Sequence, residues 1–164
     1  MQVAIIAESV YVPDLLDGLT LQASRRGLRA IHFGRAEMPD HPGPFVREVE
    51  SQLREYFAGR RFAFDVELDL AGTPFQLAVW RALTAIPYAG TCSYRDIAIA
   101  VDRPRGFQAI GQANTRNPIP IIVPCHRVIN ADGSMGGYGG GLDRKQSLLQ
   151  LEKQYAHRFR ETAA

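Results

Sequence analysis

The sequence is short of cysteine, of long apolar runs and of net charge. Its two cysteines, Cys92 and Cys125, lie far apart and form no Cys-x-x-Cys pair, so neither a disulfide framework nor a thiolate zinc site is encoded. No apolar stretch approaches a membrane span, and the amino terminus carries neither a basic leader nor a cleavage region. We therefore expect a cytoplasmic protein with no membrane partner, whose thiols stay reduced.

Charge is unevenly distributed along the chain, although its formal net value is only +2. Residues 1–72 hold 8 basic against 11 acidic residues, whereas residues 73–164 hold 11 against 6. A basic second half is either an ordinary solvated surface or the footprint of a nucleic-acid-binding module. Charge alone does not distinguish the two.

The first 72 residues predict a small α/β domain. Three apolar segments are predicted as strands: residues 3–10, 19–22 and 28–33. Apolar residues at three- and four-residue steps from Phe45 predict an amphipathic helix that ends near Gly59. Residues 62–70 alternate apolar and polar side chains and are the clearest predicted strand.

Residues 73–164 predict a second, mainly helical domain. Thr73 suits the N-cap of a helix and Pro74 its first position. Ser93, followed three residues later by an acidic residue, fits a capping box that opens another short helix. A further helix is predicted at residues 105–115, and two short helices joined by a tight turn favour a helix–turn–helix. A last helix is predicted from Asp143.

The helix at residues 105–115 is small on one face, with Gly106, Ala109, Gly111 and Ala113. Glycine in a helix interior costs about 1 kcal/mol relative to alanine, so such a face indicates that another backbone approaches closely. That backbone belongs either to a neighbouring helix or to a DNA groove.

The segment from Asn117 to Asn130 places a thiol beside an imidazole. The β-branched run at residues 121–123 lies between prolines and predicts a short buried strand that ends at Pro124. A cysteine after such a strand is more often a core residue than a nucleophile. His126 could take the proton of Cys125, which makes this cysteine a candidate nucleophile.

The run Ile-Val-Pro-Cys-His-Arg-Val-Ile at residues 122–129 resembles the active-site motif of the O6-alkylguanine-DNA alkyltransferases, the methylated-DNA–protein-cysteine methyltransferases. The similarity extends from Thr73 to about Glu152. It implies an α+β protein: a ribonuclease-H-like α/β accessory domain at residues 1–72, then a mainly helical winged helix–turn–helix domain at residues 73–164. It also implies irreversible, single-turnover transfer of the alkyl group from O6 of guanine to the protein's own cysteine. Whether O4-alkylthymine is also a substrate stays open. The expected partner is double-stranded DNA, bound by a monomer that needs no cofactor or metal.

The resemblance also assigns roles to single residues. Cys125 is the nucleophile, His126 acts on it through a bound water, and Glu152 orients the imidazole. Asn117 ties the recognition helix to the active-site segment, and Tyr94 donates a proton to the departing guanine. Contacts with DNA or substrate are implied at nine further positions: Arg105, Gln108, Ala109, Arg116, Arg127, Val128, Tyr138, Gly139 and Lys145.

Two positions depart from the family pattern. The family usually carries an arginine that enters the base stack in place of the flipped nucleotide, whereas this chain has Gln108. Extrusion is therefore expected to be weaker or to depend on Arg105 or Arg116. Many members have a hydroxyl residue after the loop tyrosine, where Gly139 leaves only a backbone N–H.

Three other functions compete with this interpretation. A non-catalytic alkyltransferase-like protein would replace the cysteine, but Cys125 is present. A Cys/His hydrolase would turn over acyl substrates without DNA, and the helix–turn–helix argues against it. A winged-helix regulator with a sensor thiol would prefer one DNA sequence. A repair protein would instead bind wherever the lesion lies, largely independently of sequence, and its affinity for DNA would fall as the salt concentration rises.

Overall fold

The computed structural model describes residues 6–163, which form two compact units that divide between Ala71 and Gly72. Helices and two small sheets make the protein a mixed α/β molecule, which confirms the expected fold class at that level. Within residues 6–163, no helix is both long enough and apolar enough to cross a bilayer.

The first unit contains a three-stranded antiparallel sheet and one helix. The strands are β1 (Glu8–Val12), β2 (Leu19–Ser24) and β3 (Gly27–Phe33), in that spatial order. Helix α1 (Pro44–Phe57) packs its buried stripe against β1 and β2, as its three- and four-residue spacing predicted. The strand predicted at residues 3–10 lies partly outside the described residues.

The predicted strand at residues 62–70 is wrong. Its backbone hydrogen bonds to β3, within residues 6–163, are both made by Leu28, which donates to the Glu67 carbonyl and accepts from the Asp69 N–H, each at 2.8 Å. Its apolar side chains are half-buried while Asp65 and Glu67 are exposed, as the alternation indicated, but Asp69 is also half-buried. A strand also needs a ladder of backbone partners, and this segment crosses the sheet edge at one point. Gly27 allows that crossing, because a Cβ there would lie 2.6 Å from the Glu67 oxygen.

The second unit is built from four helices, a 3₁₀ turn and a two-stranded sheet. The helices are α2 (Pro74–Thr84), α3 (Tyr94–Ala100), α4 (Phe107–Thr115) and α5 (Leu142–Ala163). The strands β4 (Cys92–Ser93) and β5 (Val128–Ile129) pair in parallel, and the 3₁₀ turn (Cys125–Arg127) leads directly into β5.

Local capping chemistry sets the starts of α2 and α3. The Thr73 hydroxyl accepts from the Gln76 N–H at 3.1 Å, and Gln76 reaches back to the Thr73 N–H at 3.0 Å. Ser93 and Asp96 form the same reciprocal pair. The predicted caps at Thr73 and Ser93 are therefore confirmed. Such pairs satisfy backbone donors that the first helical turn leaves free.

The buried run at residues 121–123 forms a turn and not the predicted strand. Ile121 has a positive φ of 75°, and Val123 donates back to the Ile119 carbonyl at 3.0 Å. Asn117 braces the turn, because its amide donates to the Val123 carbonyl at 2.7 Å and its oxygen accepts from the Ile119 N–H at 3.0 Å. The flanking prolines lack the N–H that a ladder requires, so side-chain bonds replace strand pairing.

Candidate active site

Cys125 opens the 3₁₀ turn and is almost completely enclosed, with 4% of its surface exposed. Burial raises the thiol pKa above its usual value, although the nearby Asn117 and Tyr138 side chains and the Lys145 ammonium act in the opposite direction. The thiol is therefore protonated at neutral pH and needs a proton acceptor before it can attack.

His126 is fully buried beside this thiol and is bonded to Glu152. Its Nε2 lies 2.7 Å from Glu152 Oε2. An ionised carboxylate only accepts hydrogen bonds, so Nε2 carries the proton and the neutral ring keeps its lone pair at Nδ1. Nδ1 has no hydrogen-bond partner within residues 6–163. Burial lowers the His126 pKa, which keeps the imidazole neutral and able to accept a proton.

The Glu152 carboxylate on α5 receives four donors. Oε2 accepts from His126 Nε2 and from Arg127 Nη2 at 2.9 Å, and Oε1 accepts from Arg127 Nε at 2.9 Å and from the Ala89 N–H at 3.1 Å. Burial alone would raise the pKa of Glu152, but the His126 and Arg127 bonds outweigh it and lower the pKa to about 2. Glu152 therefore stays ionised and fixes the imidazole in one tautomer.

Arg127 belongs to this buried network, although the sequence suggested a DNA contact. Its side chain is 8% exposed, and Nη1 donates to the Ile86 carbonyl at 2.7 Å while the other nitrogens hold Glu152. Val128 is also fully buried, in β5. Both residues are buried and support the site by packing, and a contact of either with DNA or substrate stays a prediction.

Lys145 is a second buried cation that the sequence placed at the substrate. Its Nζ donates to the carbonyls of Val128 at 2.7 Å, of Gly137 at 3.1 Å and of Met135. Burial lowers its pKa to about 8. The ammonium thus ties β5 to the glycine-rich loop, residues 133–141, and anchors that loop. A contact of Lys145 with substrate or DNA stays a prediction.

The loop after β5 brings its residues close to Cys125 and α4. Tyr94 on α3 donates to the Gly137 carbonyl at 3.5 Å. A Cβ at Gly139 would lie 2.9 Å from the Thr115 carbonyl, so the loop can pass the end of α4 only with glycine there. The missing hydroxyl at this position thus has a steric reason.

Asn114 is a site residue that the sequence interpretation missed. It is buried on α4, and its amide donates to the Cys125 carbonyl at 3.3 Å. It lies one helical turn after the buried Ile110, on the same face of the helix. A polar residue on this apolar face was the sequence signal that could have identified Asn114 as a site residue. Asn114 and Asn117 together fix the nucleophile segment to the end of α4.

The exposed face of α4 borders a groove of about 840 Å³ in the second unit. Arg105, Gln108, Ala109 and Arg116 are all exposed, and Gln108 and Arg116 line the groove. A Cβ at Gly111 would meet nothing within 4 Å, so packing against a neighbouring helix does not explain this glycine. The groove is lined by Tyr94, Arg95, Phe107, Gln108, Gly111, Gln112, Thr115, Arg116, Asn130, Ala131 and Gly137.

Comparisons with known proteins agree with this geometry. A family model described as the DNA-binding domain of 6-O-methylguanine DNA methyltransferase matches residues 74–154. A methylated-DNA–protein-cysteine methyltransferase of Methanosarcina barkeri is 44% identical over 155 residues, covering 90% of this chain and 95% of the relative. The corresponding Mycobacterium leprae protein is 59% identical over 111 residues, covering 68% of this chain and 67% of the relative.

Solved structures show the same relationship. The crystal structure of Mycobacterium tuberculosis O6-methylguanine methyltransferase has a TM-score of 0.81 and 43% identity, covering 90% of this chain and 93% of its own. A structure of the Mycobacterium tuberculosis protein in complex with DNA has a TM-score of 0.79 and 46% identity, covering 90% and 92% of the two chains. The resemblance inferred from residues 122–129 is confirmed, and the chain belongs to the methylated-DNA–protein-cysteine methyltransferase family.

Proposed function

We propose that this protein repairs alkylated DNA directly, by moving the alkyl group from O6 of guanine to Cys125. The observation that carries the proposal is a buried thiol beside a neutral imidazole, whose tautomer the ionised Glu152 fixes. The relatives named as methylated-DNA–protein-cysteine methyltransferases support the same reaction.

The chemistry follows from the bonds around Cys125. His126 Nδ1 takes the thiol proton, directly or through one water molecule, and the ring becomes imidazolium beside the Glu152 carboxylate. Sγ then attacks the alkyl carbon in line with the C–O6 bond. The S–C bond forms as the C–O6 bond breaks, and guanine leaves with a proton that Tyr94 supplies. Because a thioether has no simple route back to a thiol, each molecule acts once.

Polar side chains also stabilise the thiolate before it attacks. Those of Asn117 and Tyr138 are nearby donors that act to lower the thiol pKa, and the Lys145 ammonium adds a favourable charge interaction. Such donors act most strongly in a buried site, where little water competes with them. They offset part of the rise in thiol pKa that burial causes and that keeps the thiol protonated before a lesion binds.

DNA binding is assigned to the second unit as a winged helix–turn–helix. α3 and α4 form the two helices, α4 lies along the groove, and Arg95 and Arg116 supply positive charge at the groove wall. The first unit is assigned as the ribonuclease-H-like accessory domain, supported by its antiparallel sheet and packed helix. A stacked base cannot present its O6-alkyl carbon to an enclosed thiol, so the nucleotide must leave the helix.

Mass spectrometry after incubation with a duplex that contains one O6-methylguanine tests the function. We expect one methyl group on the peptide that bears Cys125, saturating at one per protein and absent from Cys125→Ser. Cys92 serves as an internal control, because burial and the nearby Asp96 raise its pKa to about 11 and its peptide should remain unmodified. Lesion-selective binding without an adduct would refute transfer, and the absence of both would refute the repair function.

A further inference from the structure

Phe107 is unusual among the exposed residues of the second unit. Three large apolar side chains are exposed within residues 6–163: Ile99 at 57%, Leu142 at 52% and Phe107 at 48%. Phe107 is the aromatic one, and of the three it alone lines the groove beside α4. An exposed phenyl ring loses the burial that stabilises most phenylalanines, so a bound partner is the natural place for its burial.

The surroundings of Phe107 match nucleic acid. The ring is on the first residue of α4, one turn before Gly111, where a Cβ would meet nothing within 4 Å, so space is open beside it. Arg95 and Arg116 also line the groove, and none of its lining residues in the described chain is acidic. A groove with cations, amide side chains and one free aromatic ring fits a phosphate backbone with accessible base faces.

Extrusion of a nucleotide leaves a gap in the base stack. DNA-binding proteins keep such gaps open with apolar wedges, which replace the lost stacking, and aromatic rings stack on any base. Gln108 is next to Phe107, but its amide offers hydrogen bonds and little stacking area. Resting on the repair function proposed above, we propose that Phe107 enters the gap left by the extruded nucleotide, so that the neighbouring bases stack on its ring.

The experiment compares transfer rates from two substrates of the same sequence. One is a duplex with a single O6-methylguanine, and the other is the single strand alone, in which far less stacking must be broken. We expect Phe107→Ala to slow transfer from the duplex about tenfold, which corresponds to about 1.4 kcal/mol. Transfer from the single strand should change by less than about twofold, and Phe107→Trp should retain most of the duplex rate.

Two further variants make the result specific. Ile99→Ala removes an exposed apolar side chain outside the groove lining and should leave both rates unchanged. Gln108→Ala should slow duplex transfer less than Phe107→Ala does. A wild-type duplex rate for Phe107→Ala, an equal loss on both substrates, or a larger loss for Gln108→Ala would overturn the assignment of Phe107. No methyl group on Cys125 of the wild-type protein with either substrate would instead refute the repair function itself.

Discussion

Replacing Glu152 by glutamine would exchange one carboxylate oxygen for an NH₂ group at the centre of the buried His126–Glu152–Arg127 network. The carboxylate accepts from four donors, which belong to His126, Arg127 and the Ala89 backbone. Glutamine offers one accepting oxygen, and its NH₂ group would face two of those donors. If the NH₂ group takes the place of Oε2, the imidazole can accept from it only by moving its own proton to Nδ1, which removes the lone pair assigned to the thiol proton. If it takes the place of Oε1, it faces Arg127 Nε and the Ala89 N–H instead.

The pKa of Glu152 gives the size of the effect on stability. A fall from 4.5 to about 2 means that the folded protein favours the ionised carboxylate by about 3 kcal/mol. Removing one partner of a buried ion pair costs about 3–5 kcal/mol, because the other charge, here Arg127, stays buried without its counterion. We therefore expect Glu152→Gln to lower the free energy of unfolding by about 3 kcal/mol and to slow methyl transfer at least about 100-fold.

A second variant separates the loss of stability from the loss of methyl transfer. Arg127→Met in the Glu152→Gln background removes the stranded charge and should restore part of the stability, but it should not restore transfer. Transfer is measured by single-turnover methylation at 15 °C, unfolding by urea titration, and lesion binding by fluorescence anisotropy. Glu161→Gln, an exposed change on the same helix, is the control. A folded Glu152→Gln protein with wild-type transfer would show that the carboxylate has no part in the chemistry.

Three further outcomes are expected. Tyr138→Phe removes the hydroxyl that acts to lower the pKa of Cys125. Transfer near pH 7.5 should therefore slow several-fold, and the alkaline rise of its rate should shift to higher pH. An unshifted pH profile would exclude this effect of Tyr138 on the thiol. Lys145→Met removes the ammonium that donates to three carbonyls, of which Gly137 keeps the donor Tyr94. The free energy of unfolding should fall by about 3 kcal/mol, and hydrogen exchange in residues 133–141 should accelerate. Unchanged exchange would contradict the loop-anchor role. The pKa values of His126 and Glu152 are both lower in the folded protein than their ordinary values, so the unfolded chain binds more protons in acid. The urea concentration at the unfolding midpoint should therefore decrease as the pH falls below about 6.5. A constant midpoint between pH 7 and 4 would contradict the buried network.

Features that depend on neighbouring residues could be predicted from the sequence. The capping boxes at Thr73 and Ser93 and the amphipathic α1 are set by side chains three or four positions apart. The Cys125–His126 pair was visible for the same reason. Glu152 could be connected to it only through the family resemblance, because the contact spans 26 positions.

Features that depend on distant partners were predicted poorly. Residues 62–70 have a strand pattern, but pairing requires a neighbouring edge that their sequence does not encode. The family resemblance implied DNA or substrate contacts for Arg127 and Lys145, and their burial within the second unit was not foreseen. Their partners, Glu152 and three loop carbonyls, are brought near only by the fold. No local signal separates such a cation from one that binds phosphate.

The raised pKa of Cys125 fits a protein that can use its thiol only once. A thiolate at rest would be open to oxidation or stray alkylation, and each such event would consume one molecule. Burial keeps Cys125 protonated, and Cys92, with a pKa of about 11, is equally unreactive at neutral pH. His126 Nδ1 has no hydrogen-bond partner within residues 6–163, so it is available to take the thiol proton when a lesion brings its alkyl carbon to Sγ. We infer that the site is built to keep the thiol inert until a lesion is bound.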